Sequence, residues 1–281
     1  MVTSPYRSTI VVSLPAVGIS LVLLAGPAQA APAPATADTA HGMTYTASAG
    51  QVNDVLVTKT SDSDSGEAIF RIDDVVPISA GEGCVYPDSG DRTVVVCRQP
   101  YLERQDPFFD ANFWLGDQND RFRWRNLTGD VYWDARVYLG PGDDTYSSKY
   151  IDGNGVYGGT GKDTISVKHQ AGDIGFTDGG NGDDTIFSEG SYGFATTLGG
   201  AGDDTMTGGA GEQRFDGGEG DDLIHGGDGI DVIRGGKGDD RLYGDAGADL
   251  IYGNSGNDRL YGGPGNDTLS RGPGKNLIKQ N

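Results

Sequence analysis

The sequence predicts an all-β protein in which short strands, joined by glycine-rich turns, stack into a flattened solenoid. Three observations carry this. Blocks of nine residues recur, as in GGEGDDLIH, GGDGIDVIR and GGKGDDRLY over residues 217–243, with glycine at the first, second and fourth places. The eighth place is apolar in nearly every block. The sixth is nearly always aspartate. Without that periodicity the composition, 48 glycines in 281 residues and a formal charge of −20, argues for disorder. A chain with little apolar surface cannot offset the entropy lost on ordering.

At the N-terminus, Arg7 precedes an apolar run, Ile10 to Ala25, interrupted by Pro15 and Gly18. The run is short for a membrane span. Ala28-Gln29-Ala30 then supplies the small residues of a cleavage point. Residues 1–30 are therefore expected to be a signal peptide. The mature chain is expected to be secreted and extracellular, with no transmembrane segment. Residues 31–42, rich in proline and alanine and without periodicity, read as a flexible leader.

Residues 43–112 read as a small β-rich region. VNDVLVTKT and EAIFRID are strand-like, with the acidic SDSDSG between them. That turn fits a solvated hairpin better than a helical calcium loop, because Gly66 stands one place too early and the flanks are not helical. The two cysteines are Cys84 and Cys97. In an exported chain such a pair suggests a disulfide. The turn Pro87–Gly90 and the β-branched run Thr93–Val96 form a hairpin signal that brings the thiols together, which stabilises by about 3 kcal/mol in the chain-entropy model. Residues 113–138 belong to an aromatic stretch containing Phe108, Phe109, Phe113, Trp114, Phe122, Trp124, Tyr132 and Trp133. It reads as an aromatic-rich cap on the repeats or as their first irregular coils.

From Leu139 the repeat dominates. Blocks at 139–147, 158–166, 179–187 and 199–207 are spaced by 19, 21 and 20 residues, and from Gly199 they are contiguous. One apolar residue in nine cannot build a helix face. It suits a short strand with one inward side chain and outward neighbours. Glycine supplies the positive φ and close approach of the turns. Two blocks make one coil, and a coil this thin is marginal by apolar burial alone. The aspartates then fall into rows spaced about one strand apart, where bare carboxylates repel. Carboxylates and turn carbonyls are hard oxygen donors, better suited to Ca²⁺ than to Mg²⁺. No repeated cysteine or histidine offers a softer metal a site.

The blocks resemble the RTX, or haemolysin-type, calcium-binding repeat G-G-x-G-x-D-x-U-x. The resemblance covers roughly residues 139–279. It implies a right-handed parallel β-roll over 139–281, with several Ca²⁺ ions held between same-edge turns of successive coils. The metal ligands it points to are Asp144, Asp163, Asp184, Asp204, Asp222, Asp231, Asp240, Asp249, Asp258 and Asp267. At two blocks per coil, Asp231, Asp249 and Asp267 lie on one edge and the other seven on the opposite edge. Gln213 breaks the shorter row and Asn276 ends the longer one. Adjacent pairs amount to about eight ions, which offset most of the −20 charge.

The functional expectation is a secreted calcium-binding protein that folds on binding its ions. The alternative is an extracellular adhesin or cell-surface structural protein that uses the roll as a calcium-dependent scaffold. A cell-surface polysaccharide would then be the partner, with Trp114, Trp124 and Trp133 as the surface. Catalysis is not expected. Neither HExxH nor GxSxG occurs, and Ser191 in EGSYG lacks the glycine two places earlier. The charge sign opposes nucleic acid.

Overall fold

The computed structural model describes residues 33–99, 111–128, 135–149, 154–168, 175–190 and 195–280, together with two short upstream strands. It comprises two units, Met1–Ala33 and Pro34–Asn281. In the first, β1 (Ile10–Val12) pairs antiparallel with β2 (Leu21–Leu23). Most of the expected signal peptide, its cleavage point included, lies outside the described residues. Among the described residues no helix is long and apolar enough to cross a membrane.

In the second unit the described elements are all strands: two long sheets of 12 and 13 strands share one core, and a two-stranded sheet pairs Asp228–Gly229 with Ala246–Gly247. Its first strands are β3 (Ala35–Asp38), β4 (Met43–Thr46), β5 (Asp54–Ser61), β6 (Ala68–Asp73), β7 (Ile78–Ala80), β8 (Cys84–Val85) and β9 (Val94–Gln99). Then come β10 (Ala111–Trp114), β11 (Arg121–Asn126), β12 (Ala135–Pro141) and β13 (Thr145–Ser148). From β10 onward the chain alternates between the two long sheets, continuing the coil that β4 and β5 begin. Each strand pairs in parallel with its counterpart in the next coil, β4 with β10 and β10 with β12, β5 with β11 and β11 with β13. The series continues to Thr268–Ser270 in one sheet and Leu277–Lys279 in the other.

The register follows from the eighth place of the repeat. Tyr146 pairs with Ile165, Ile165 with Ile186, Ile186 with Met206, and so on through Ile224, Leu242 and Leu260 to Ile278. Slipping by one residue would turn this whole column out to solvent, so burial fixes the pairing. All but Ile278 are fully buried. The opposite column is weaker upstream, where Thr177 and Thr197 replace apolar residues before Phe215, Ile233 and Ile251 restore it. Parts of the 19-to-21-residue coils, residues 150–153, 169–174 and 191–194, lie outside the described residues.

The N-terminal end differs from expectation at the leader. Residues 31–42 do not remain a free leader: β3 pairs antiparallel with β4 and parallel with β7, and Ala35 and Ala37 are fully buried. Two alanines suffice because the neighbouring backbone, not side-chain bulk, defines the strand. Of the two forms expected for the aromatic stretch, a cap or the first irregular coils, the described residues take the form of a coil. β10 and β11 form a full coil, with Phe113, Phe122 and Trp124 completely buried. Phe113 lies 5.1 Å from Phe122 and 5.9 Å from Trp124, ring centre to ring centre. Phe108, Phe109, Tyr132 and Trp133 lie outside the described residues.

The parallel stack is ended instead by antiparallel strands. β6 pairs with β5, β9 with β6, and β8 with β9, which leaves a short edge. Cys84 and Cys97 face each other across β8 and β9 and are joined in a disulfide. The SDSDSG turn is a hairpin. Asp62 accepts the amide N–H groups of Asp64 and Ser65 and pairs with Arg98 at 3.1 Å. Asp73 sits in β6 opposite Leu56, so no calcium loop closes there.

Candidate metal centre

Each turn of the roll is built by backbone that approaches the next coil too closely for a side chain. Gly180 and Gly182, the second and fourth residues of one block, have φ of 105° and 128°. A Cβ on either would run into the carbonyl oxygen of Gly159 or Gly161 in the preceding coil. At the first place the obstruction is different. A Cβ on Gly179 would fall on Asp184 Oδ2 and on the carbonyl oxygen of Gly199 in the following coil. The first-place glycine therefore leaves room for a carboxylate oxygen and a carbonyl oxygen to converge.

The sixth-place aspartates form two rows. On the long edge, the backbone N–H of Asp144 donates to Asp163 Oδ1 at 2.8 Å, that of Asp163 to Asp184 at 2.8 Å, and that of Asp184 to Asp204 at 2.8 Å. The chain of bonds continues from Asp204 to Asp222 at 2.9 Å, to Asp240 at 3.0 Å and to Asp258 at 3.2 Å. On the short edge, Gln213 donates to Asp231, Asp231 to Asp249 and Asp249 to Asp267 at 2.7, 3.0 and 3.2 Å. All ten aspartates are buried. Each uses Oδ1 as this acceptor, and in each Oδ2 is buried with no hydrogen-bond partner.

A buried carboxylate oxygen without a partner is costly. Burial, followed by the repulsion of neighbouring carboxylates, pushes Asp222 up to about 8 and Asp163, Asp204 and Asp231 up to about 7. Burial is also the main cause that lifts Asp144, Asp184 and Asp240 to about 6 and raises Asp249 and Asp258. A second carboxylate row on the long edge lies outside the first. Asp203 Oδ1 accepts the N–H of Asp221, and Asp239 Oδ1 that of Asn257, at 2.8 and 2.7 Å on the exposed side of the turns. There backbone hydrogen bonding holds Asp239 below the usual carboxylate range.

Asn276 tests what the orphaned oxygens face. It occupies the sixth place of the last block, and its Oδ1 accepts the N–H of Asp258 as an aspartate would. Its second atom is an N–H donor, which finds the carbonyl oxygens of Arg271 and Gly272 at 2.6 and 3.2 Å. Where aspartate stands, the corresponding atom is an oxygen directed at oxygens. That arrangement needs a positive charge between them. Among the described residues no group of three or more His, Cys, Asp or Glu could hold a metal ion by itself; the oxygens that converge at each level are a carboxylate and a turn carbonyl. Such an all-oxygen set of irregular geometry fits Ca²⁺.

The structure thus brings the ten sequence-derived aspartates into the two rows, seven and three, that the repeat period sets. One further member carries no repeat signature clear enough to be singled out from sequence. Asp120, 2% exposed, donates its N–H to Asp144 Oδ1 at 2.6 Å and carries the same partnerless Oδ2. Its signal is LGDQNDRF, with Gly116, Asp120 and Phe122 at the second, sixth and eighth places of a block whose other glycines are gone.

A family model described as the RTX calcium-binding nonapeptide repeat matches the chain in four copies, at residues 198–224, 216–251, 234–269 and 243–278. No curated protein matches the chain significantly. The matched segment is the stretch in which both edges carry buried aspartates, and the coils stack in parallel with one turn per block. Residues 198–278 thus carry RTX calcium-binding nonapeptide repeats, and the coils they build are those of a parallel β-roll.

Proposed function

We propose that the protein is a secreted scaffold that folds outside the cell on binding several Ca²⁺ ions through Asp144, Asp163, Asp184, Asp204, Asp222, Asp240 and Asp258 on one edge and Asp231, Asp249 and Asp267 on the other. The observation that carries this reading is the run of buried Oδ2 atoms without partners. Bound ions supply positive charge shared between carboxylates and turn carbonyls. The residues do the rest: Oδ1 ties each turn to its neighbour, the first-place glycine keeps the approach open, and the eighth-place side chain fills the core. Without ions, repulsion along the rows opposes stacking, and binding free energy becomes folding free energy. Extracellular calcium modules work at about 10⁻⁴–10⁻³ M, so export in an unfolded state followed by folding outside is the use that this coupling suits.

The reading as an adhesin has less support. Trp124 is in the core. Trp114 is 39% exposed, but it stacks face to face on Tyr138 at 5.7 Å, and Tyr138 stacks on Tyr157 at 4.9 Å. The rings cover one another's faces and leave edges outward, which is poor geometry for stacking on a sugar. Trp133 lies outside the described residues.

The test is far-ultraviolet circular dichroism and the hydrodynamic radius with millimolar Ca²⁺ and with excess EGTA, near neutral pH. The expected result is a compact β-structure with calcium and an expanded chain in chelator. An unchanged spectrum and radius in chelator would contradict coupled folding.

A further inference from the structure

We infer that the cation row on the long edge extends one coil beyond the glycine-rich blocks, to a site between Asp120 and Asp144, and is stopped there by the side-chain amide of Asn53. The inference rests on the calcium reading of the rows.

The turn over residues 115–120 has repeat geometry without the repeat's sequence. Gln118 holds a φ of 88°, a conformation that the blocks assign to glycine at the fourth place. Such conformations persist in side-chain-bearing residues where the surroundings impose them, often at ligand sites. Gly140 and Gly142 pack against the carbonyl oxygens of Gly116 and Gln118, just as Gly180 and Gly182 pack against those of Gly159 and Gly161. The carbonyls of this coil therefore face the next one as they do throughout the roll. Asp120 and Asp144 both present buried, partnerless Oδ2 atoms at this level.

The first place differs, being Leu115 in this coil and Leu139 in the next. A Cβ there does not close the approach. In the preceding coil Ala47 stands at that place, its N–H bonded to the Trp114 carbonyl. The Asn53 side chain nevertheless reaches the Leu115 carbonyl oxygen.

Asn53 also shows why the row stops. Its backbone N–H donates to Asp120 Oδ1 at 2.7 Å, which places it at the sixth position of its own coil. Its Nδ2 donates to Leu115 O and to Asp120 Oδ1, each at 3.1 Å. Tyr45 O–H approaches Asn53 Oδ1 at 3.5 Å from the other side, consistent with that orientation. The amide hydrogens meet the oxygens that an ion would otherwise bridge. At the far end of the row Asn276 also holds the sixth place, its Nδ2 donating to the Arg271 and Gly272 carbonyls of its own turn, so both ends carry a neutral amide where the interior carries carboxylates.

The experiment counts bound Ca²⁺ by titration calorimetry on the full chain, comparing the unaltered protein with Asp120→Asn and Asn53→Asp. The expected result is one ion fewer for Asp120→Asn and one more for Asn53→Asp. An unaltered protein that binds several ions, with Asp120→Asn binding the same number at an unchanged circular dichroism spectrum, would overturn the extension alone. A protein that binds none would overturn the calcium reading with it. Should Asp120→Asn fail to fold, anomalous scattering from crystals of the unaltered chain grown in Sr²⁺ decides. A peak between the Asp120 and Asp144 turns supports the site, and a row of peaks that begins only between Asp144 and Asp163 rejects it.

Discussion

The two ends of the roll solve the same stacking problem with different materials. In the N-terminal coils the core is wide, and Tyr45, Phe70, Phe113, Phe122 and Trp124 fill it. In the C-terminal coils one aliphatic side chain per strand, such as Ile224, Leu242 or Leu260, is all that lies inside. The first end also has a disulfide and an antiparallel border. The second end has neither, but it has aspartates on both edges. Apolar burial scales with the area removed from water. The thin end therefore depends on something other than burial, and the partnerless carboxylate oxygens show where that dependence sits. A parallel roll can taper from an oil-filled base into a charge-bridged arm without changing its strand register.

Several perturbations separate the two halves. The largest effect is expected from protons in place of ions. Without ions, burial pushes Asp144, Asp184 and Asp240 up to about 6 and Asp222 up to about 8, against about 3.9 for an unfolded aspartate. The folded state then binds more protons than the unfolded state from about the unfolded aspartate value up to the raised values, so stability falls as pH rises through that window. Calcium-free protein should regain β-structure on acidification to about pH 5 and lose it at about pH 8, read by circular dichroism. A calcium-free spectrum that does not change with pH would count against raised carboxylates in the rows.

Truncating the wide core comes next. Trp124→Ala should destabilise by about 3–5 kcal/mol, with or without calcium, as measured by denaturant unfolding. Opening the Cys84–Cys97 disulfide by Cys97→Ser should cost about 3 kcal/mol in the chain-entropy model, again independent of calcium. The smallest effect is Ile224→Val, about 0.5–1.5 kcal/mol. At neutral pH it should be visible only in the calcium-loaded state, in which the proposed function has the surrounding coil folded. Equal calcium dependence for Trp124→Ala and Ile224→Val would erase the distinction between the halves.

The thin half is legible in the sequence and the wide half is not, for a physical reason. In the blocks a strict period ties each residue type to a single role, with glycine in the turn, the eighth residue in the core and aspartate at the edge. The strand at Ala35–Asp38 has no such tie. Alanines and a threonine become a strand only because β4 and β7 offer backbone partners distant in sequence. The aromatic stretch reads equally as surface or core, since composition alone does not say which way Trp114 and Trp124 point. Asp120 is hidden because Leu115 and Gln118 stand at the first and fourth places, where glycine would mark the turn. Only the backbone of Gln118 reveals the equivalence.

The most direct measurement is amide hydrogen exchange, compared region by region at neutral pH with saturating Ca²⁺ and with chelator. In calcium, the backbone N–H groups of Asp163, Asp184, Asp204, Asp222 and Asp240, each bonded to the next carboxylate, should be strongly protected. In chelator their protection should collapse, while β5, β6 and β9 keep most of theirs. Equal protection of residues 198–280 in both conditions would contradict the claim that the buried aspartate rows need ions to stack.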